Sequence, residues 1–377
     1  MGWRPCSGHT VAPKLHGSTW AAEPKYETGV RSMDHLGQRW ADLGIPTTPL
    51  EAAPHLSDAL GGPRVFFKRD DLTGVGLGGN KLRKLEYLLG DALSRGADTV
   101  ITTAAAQSNF LRITAAACRR LGLTPVFFVR AKANEELTGN ALCYRLTGAE
   151  VHVVSTADPY SESTIHAMKE YAGDLERRGR TPYLIHLGTF SGPLATLGYV
   201  DGTRELIAQA RSAQVVFDHA FVAVGSGGTM AGMLLAFADA QMPCTVTGVS
   251  VCEPARRLTD MICDFTERAA ELIDIKVRVP RHSVHVIDSF IGAGHGIPSS
   301  ESLEAVKLVA RTEGIFLDPI YTGKAMAALI AGVRNGEIRR GANVLFMHTG
   351  GAPNLFRHAE AFRNMLDRSE IDGNYRG

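Results

Sequence analysis

The segment Gly78-Gly79-Asn80-Lys81-Leu82-Arg83-Lys84-Leu85-Glu86 places a lysine directly after two glycines and an asparagine, at the start of an apolar-periodic run. Glycines let a backbone turn sharply and let a ligand come close. The helix start that follows offers unpaired N–H groups and the positive end of a dipole to an anion. An amine held there is placed to form a Schiff base with a carbonyl group. The same residues also read as a plain glycine turn with solvated lysines, and alone they do not decide between the two.

Three further segments combine glycine, hydroxyl and amide groups where chemistry is expected. In Ala106-Gln107-Ser108-Asn109 the serine and asparagine suit a helix N-cap, and such a cap can also receive a carboxylate. Gly225-Ser226-Gly227-Gly228-Thr229 makes a nest of N–H donors suited to a phosphate. No Gly-Lys-Ser/Thr follows it, and its spacing is not the GxGxxG of a dinucleotide site. Met347-His348-Thr349-Gly350-Gly351-Ala352-Pro353 is either a turn into a last helix or a place where the Thr349 hydroxyl faces a ligand. Just upstream, Asp318-Pro319-Ile320-Tyr321-Thr322-Gly323-Lys324 sets a tyrosine and a threonine at another helix start. His282 and His285 lack a third ligand at metal-binding spacing, so a metal site is not expected. No GxSxG elbow is present.

These segments need a scaffold that delivers loops to helix starts. Short apolar runs at 64–68, 99–104, 125–130, 151–155, 183–187, 219–224, 245–251 and 343–348 predict strands. Between them, helical spacing covers 81–96, 109–123, 136–147, 160–178, 196–213, 230–240, 300–313 and 324–335. Alternation of this kind predicts an α/β fold of right-handed βαβ units, with open, mostly parallel twisted sheets flanked by helices. Ligands in such sheets bind at the carboxyl ends of strands, and the glycine-bearing segments fall there.

At 377 residues the chain is expected to form two lobes. Forty basic and 39 acidic residues leave a net charge of +1, which gives no electrostatic case for nucleic acid or a membrane surface. No apolar run reaches the roughly 18 residues of a membrane span. The six cysteines contain no CxxC pair, so they read as reduced, structural and cytoplasmic. Residues 1–32 lack periodicity and a signal-peptide pattern, and read as an extension before Met33.

Five segments in this order, KRDDLTGVGLGGNKLRKLEYLL, GADTVITTAAAQSNFLR, GSGGTMAG, LDPIYTGKAMAALI and HTGGAPNLF, resemble the fold-type II pyridoxal-phosphate enzymes. The branch is that of D-cysteine desulfhydrase and 1-aminocyclopropane-1-carboxylate (ACC) deaminase, and the resemblance runs from about Asp34 to Phe362. It implies a two-domain, tryptophan synthase β-like architecture. Residues 33–84 and 199–377 would form the large cofactor-binding domain, with 85–198 inserted as a small one. Pyridoxal 5'-phosphate would be the cofactor, and a homodimer the assembly.

The resemblance also implies roles. Lys81 matches the Schiff-base lysine, and Lys84 a second positive charge near the phosphate. Asn109 would lie near the cofactor's phenolic oxygen, the loop Gly225, Ser226, Gly227, Gly228 and Thr229 would cradle its phosphate, and Thr349 would face its ring nitrogen. Gln107, Ser108, Asn109, Phe110, His295, Tyr321 and Thr322 would surround a small amino-acid substrate, with Ser108, Tyr321 and His295 joining Lys81 in catalysis. Three positions depart from the family. Phe110 stands where the branches carry His or Gln, His295 where both carry Tyr, and Thr322 where ACC deaminases carry Glu. The implied reaction is α,β-elimination, by default D-cysteine to pyruvate, sulfide and ammonia. The alternatives are β-replacement, or another biosynthetic step on a different amino acid, and ACC ring opening.

Overall fold

The computed structural model describes residues 30–32, 36–131, 136–156, 158, 161–363, 365 and 366. Most of the extension expected over 1–32, with Cys6, lies outside these residues. The helix expected over 136–147 is observed as Gly139–Leu146. In chain order the elements begin with β1 (Val30–Ser32), β2 (Arg39–Ala41), β3 (Leu50–Ala52), α1 (Pro54–Ala59), β4 (Arg64–Lys68) and α2 (Lys81–Ser94). They continue through β5 (Thr99–Ala105), α3 (Asn109–Arg120), β6 (Thr124–Arg130), α4 (Gly139–Leu146), β7 (Glu150–Val154), α5 (Glu162–Arg177) and β8 (Pro182–Ile185). The remainder is α6 (Gly192–Ser212), β9 (His219–Val224), α7 (Gly228–Asp239), β10 (Thr245–Ser250), α8 (Ala255–Leu272), β11 (His285–Ile287), α9 (Ser300–Glu313), α10 (Thr322–Arg334), β12 (Asn343–Met347) and α11 (Ala352–Arg357).

Besides the short antiparallel pair of β1 and β2, two larger sheets form, and both are mostly parallel as the alternation predicts. Six strands run in the order β11-β10-β9-β12-β4-β3, with only the edge strand β3 antiparallel to its neighbour. Four parallel strands run in the order β7-β6-β5-β8. Side chains alternate across a strand, so β12 serves two cores at once. Val344 and Phe346 join Val65, Phe67 and Phe221 under α10, while Leu345 and Met347 join Val222, Val224 and Met230 under α7. In the smaller sheet Phe127 and Val129 face Leu111 and Tyr144, and Val126 and Phe128 face Met168 and Leu175. Strands covered on both faces must be apolar throughout, and this is why they appear in the sequence as unbroken runs.

The helix led by Lys81 is fixed from below by buried charge. Arg83 Nε meets Asp70 Oδ2 at 2.9 Å and its Nη2 meets Glu205 Oε1 at 3.0 Å. Lys68 pairs with the same glutamate, and the Tyr199 hydroxyl donates to Asp70 Oδ2 at 2.6 Å. Breaking one member of such a buried set costs about 3–5 kcal/mol, because it strands the others. Close helix contact adds to this, since a Cβ on Gly198 would lie 2.1 Å from Arg83 O.

Two expectations shift. α6 begins at Gly192 rather than 196, because Pro193 starts a helix without wasting an N–H. The 18-residue helix α8 was not anticipated, although Leu258, Ile262, Phe265 and Ala269 are buried at helical spacing. Its N-cap is Pro254, with no side-chain cap to announce the start. Among the described residues no helix is long and apolar enough to cross a membrane.

Candidate active site

The lysine loop has the strained backbone that its glycines suggest. Gly78 sits at φ 66 and ψ 176, a region that essentially only glycine enters, and Gly79 at φ 125. The loop is fastened at both ends. Gly79 N donates to Thr73 Oγ1 at 2.8 Å, and Asn80 N donates to Thr349 O at 3.0 Å. Lys81 then opens α2, and its Nζ donates to Asn80 Oδ1 at 3.1 Å. Burial pulls the Lys81 ammonium down from 10.5 to about 8, so a neutral amine is accessible near physiological pH.

The glycine-rich loop lies against the same helix. Val224 ends β9, Gly227 takes φ 80, and Gly228 opens α7. The side-chain amide of Asn80 reaches across to donate to Thr229 Oγ1 at 3.0 Å. Lys84, one turn after Lys81, is buried with no carboxylate paired to it among the described residues. A Cβ on Gly228 would come within 3.1 Å of Lys84 Nζ, so the glycine leaves room beside the ammonium. Burial first, and the Lys81 charge second, hold Lys84 well below the ordinary lysine range. A buried cation next to free N–H groups at a helix start asks for an anion.

Ser108, Gln107 and Asn109 come from the smaller sheet. Ser108 caps α3, its Oγ accepting from Phe110 N at 3.1 Å, so the plain capping role is real and leaves the hydroxyl proton free to donate. Gln107 spends its carboxamide on backbone: Oε1 accepts from Asn140 N at 3.0 Å and Nε2 donates to Thr138 O at 3.2 Å. Asn109 Oδ1 accepts from Asn140 Nδ2 at 2.9 Å. Phe110 does not open to the loops; its ring is buried with Leu82, Leu85 and Ile113.

Tyr321 stands at the start of α10, and a Cβ on Gly225 would lie 3.9 Å from its ring. Its hydroxyl is 3.2 Å from His295 Nε2, with the two rings edge to face. Burial raises the tyrosine above its ordinary range. Enclosure, with the Arg130 and Lys324 cations nearby, holds the histidine below its own. Thr322 is fully buried, and its hydroxyl donates to Asp318 Oδ1 at 2.8 Å, so it is committed to the helix start rather than to a ligand. Asp318 also accepts from the N–H groups of Ile320, Tyr321 and Thr322. Gly351 passes so close that a Cβ there would be 2.7 Å from Asp318 Oδ1. One carboxylate thereby fixes the tyrosine and the Thr349 turn together. In that turn His348 Nδ1 accepts from Gly350 N, which leaves Nε2–H to donate to Phe316 O at 3.2 Å.

The lysine loop, the glycine loop, the Thr349 turn and Tyr321 thus converge at the carboxyl ends of β4, β9 and β12. The pyridoxal-phosphate dependent enzyme family matches residues 41–350. The chain belongs to that family. Its relatives include proteins of Pyrococcus abyssi and Pyrococcus horikoshii, each named "Putative 1-aminocyclopropane-1-carboxylate deaminase". Both are 40% identical over 319 residues, covering 85% of this chain and 93% and 94% of theirs. The crystal structure of an ACC deaminase homologue superposes with a TM-score of 0.76 at 38% identity, over 85% of this chain and 95% of the other. The E. coli diaminopropionate ammonia lyase, at 16% identity and TM-score 0.61 over 86% of this chain and 87% of its own, shares the fold. This is therefore a pyridoxal-phosphate-dependent enzyme of the ACC deaminase and D-cysteine desulfhydrase family, with the fold-type II architecture.

The residues present fit the cofactor. Lys84 lacks a counter-charge, Gly227 and Gly228 open the space beside it, and Lys81 has a lowered amine pKa. Asp318, Lys324, Arg112, Asn140 and Asn354 were not anticipated as site residues from the sequence. Asp318 had a signal, an acidic residue just ahead of a helix start. The other four had none, because their partners are distant in sequence.

Proposed function

We propose that this enzyme is a lyase that removes a β substituent from a small amino acid, with D-cysteine as the default substrate. D-cysteine and water would give pyruvate, sulfide and ammonia. The observation that carries this reading is the Tyr321–His295 pair, 3.2 Å apart, beside the glycine loop, with no carboxylate at position 322. A neutral hydroxyl backed by a histidine suits proton delivery to a departing thiolate.

Pyridoxal phosphate, when bound, supplies a carbonyl for an amine and an electron-poor ring that weakens bonds at the α-carbon. Lys81 would hold the cofactor's carbonyl group, and its neutral Nζ would take the substrate's α-proton. Lys84 and the N–H groups of Gly225–Thr229 would hold the phosphate. The Thr349 hydroxyl would hold the ring nitrogen, as a neutral partner rather than a carboxylate. Ser108 and Asn109 receive the substrate carboxylate and the phenolic oxygen, on a loop that Gln107 stiffens. Tyr321 protonates the leaving group, and His295 accepts the hydrogen bond that orients it. Phe110 supports α3 from the core. The inserted domain carrying β5 to β8 brings Ser108 and Asn109 to the large domain carrying Lys81.

Product analysis with D-cysteine, L-cysteine, β-chloroalanine and ACC tests the reaction. Pyruvate from the first three, without 2-oxobutyrate from ACC, is the expected outcome; neither keto acid from any of them would sink the lyase reading. The name of the Pyrococcus relatives makes ACC the necessary comparison, since its ring opening with water gives 2-oxobutyrate and ammonia. A β-replacement is the second reading. It is favoured by His295 standing beside Tyr321 where the family carries a tyrosine, a changed group that an incoming nucleophile would meet. A new amino acid formed when thiols or amines are supplied would identify it.

A further inference from the structure

Arg112 is buried, and no carboxylate pairs with it among the described residues. Its Nε donates to Asn140 Oδ1 at 2.7 Å, its Nη2 donates to Gly78 O at 3.1 Å, and its Nη1 has no partner. A guanidinium has only donors, so it decides which way the facing carboxamide must turn. Asn140 has to present Oδ1 to Arg112 and Nδ2 to the opposite side. There Nδ2 meets three acceptors, Gln107 O and Asn109 Oδ1 at 2.9 Å and Asn354 Oδ1 at 3.2 Å. Asn109 must in turn offer Oδ1 to Asn140, which directs its own N–H2 away from Asn140. Two carboxamides in series therefore inherit their orientation from one cation, independently of how amide oxygen and nitrogen are told apart.

We propose that Arg112 and Asn140 are positioning residues that lock the Asn109 carboxamide with its N–H2 toward the cofactor, making Asn109 a hydrogen-bond donor to the phenolic oxygen. This rests on the reading of Asn109 given above and adds a direction to it. A donor there stabilises the anionic oxygen, and so favours the visible-absorbing form of the lysine-bound cofactor over its near-ultraviolet, neutral-oxygen form. The same guanidinium holds Gly78 O, so one side chain sets both the loop before Lys81 and the amide facing it from α3.

The test is the ratio of the two absorption forms in the cofactor-loaded protein at fixed pH. Asn140→Asp keeps the shape and pairs the charge of Arg112, but it presents only acceptors to Asn109 and forces that amide to flip. The visible-to-ultraviolet ratio is expected to fall roughly tenfold, the size of a hydrogen bond to a charged group. Asn140→Leu, which orients nothing, should move the ratio the same way by less. In an Asn109→Ala background, Asn140→Asp should add no further change. An unchanged ratio in both Asn140 variants would overturn the inference, as would an equal fall when Asn109 is already absent. The wild-type band itself, abolished by Lys81→Ala, reports on the Lys81 reading separately; absence of that band in the wild type would sink both.

Discussion

The side-chain amide of Asn80 donates to the Thr229 hydroxyl at 3.0 Å, tying the residue before Lys81 to the first turn of α7. The start of α2 and the glycine loop are thus held in one frame, although the two bonded residues lie 149 positions apart in the chain. Asn80→Ala should loosen that frame by about 1 kcal/mol, the net worth of a neutral hydrogen bond. Cofactor affinity should fall roughly fivefold with the fold intact, as measured by titrating the apoprotein with pyridoxal phosphate.

Lys84 makes the opposite exchange. An uncompensated buried ammonium destabilises the empty protein, and an anion relieves it. Lys84→Met should raise the thermal stability of the apoprotein by about 1–3 kcal/mol and weaken cofactor binding at least about tenfold. Lowered lysine pKa values mean that the unfolded chain binds more protons than the folded one, so stability rises with pH across that window. For Lys81 the window runs from about 8 to 10.5. Denaturant midpoints of the apoprotein should climb through it, and more gently in Lys81→Met.

Gly78→Ala should damage the site through backbone alone. A Cβ at Gly78 would lie 1.9 Å from Asp71 O, in a conformation that side chains do not tolerate. A loss of at least about 2 kcal/mol is expected, read as a drop in melting temperature. Gly96→Ala, also at positive φ but with open space around it, should cost less.

His295 is held below its ordinary 6.5, so it is neutral at physiological pH and can accept from Tyr321. The ratio kcat/KM should be flat across neutral pH and fall only below 6.5, as protonation removes the acceptor. His295→Phe should lower kcat and abolish that acidic limb. Lys324 donates to Ile291 O at 2.7 Å and to Gly294 O at 3.3 Å, holding the loop that carries the histidine. Lys324→Met should raise KM more than it lowers kcat, a split that steady-state kinetics resolves.

The parts of the site that could be read from the sequence are those carried by contiguous residues. Gly78–Lys81, Ser108 and Gly225–Thr229 announce themselves because glycine geometry and helix capping act over a few positions. Phe110 could not be placed the same way, since α3 is buried on several sides and residue type alone does not tell core from cleft. Thr322 was expected at the substrate, yet Asp318, four residues earlier, takes its hydroxyl. Asn140 and Asn354 were invisible because the bond between them spans 214 residues. α8 was legible in its apolar spacing but began on Pro254, without the polar cap that marks most helix starts.

The burial of Lys84 without a carboxylate partner among the described residues also couples folding to the cofactor. A chain that folds around a buried lysine with no carboxylate partner gains stability when the phosphate arrives, so ligand supply enters the folding equilibrium by mass action. On that reading the amount of this protein in a cell follows the local supply of the vitamin-derived cofactor. Scarcity enlarges the unfolded fraction open to proteases, and abundance of the enzyme becomes a gauge of nutrition as well as of gene expression.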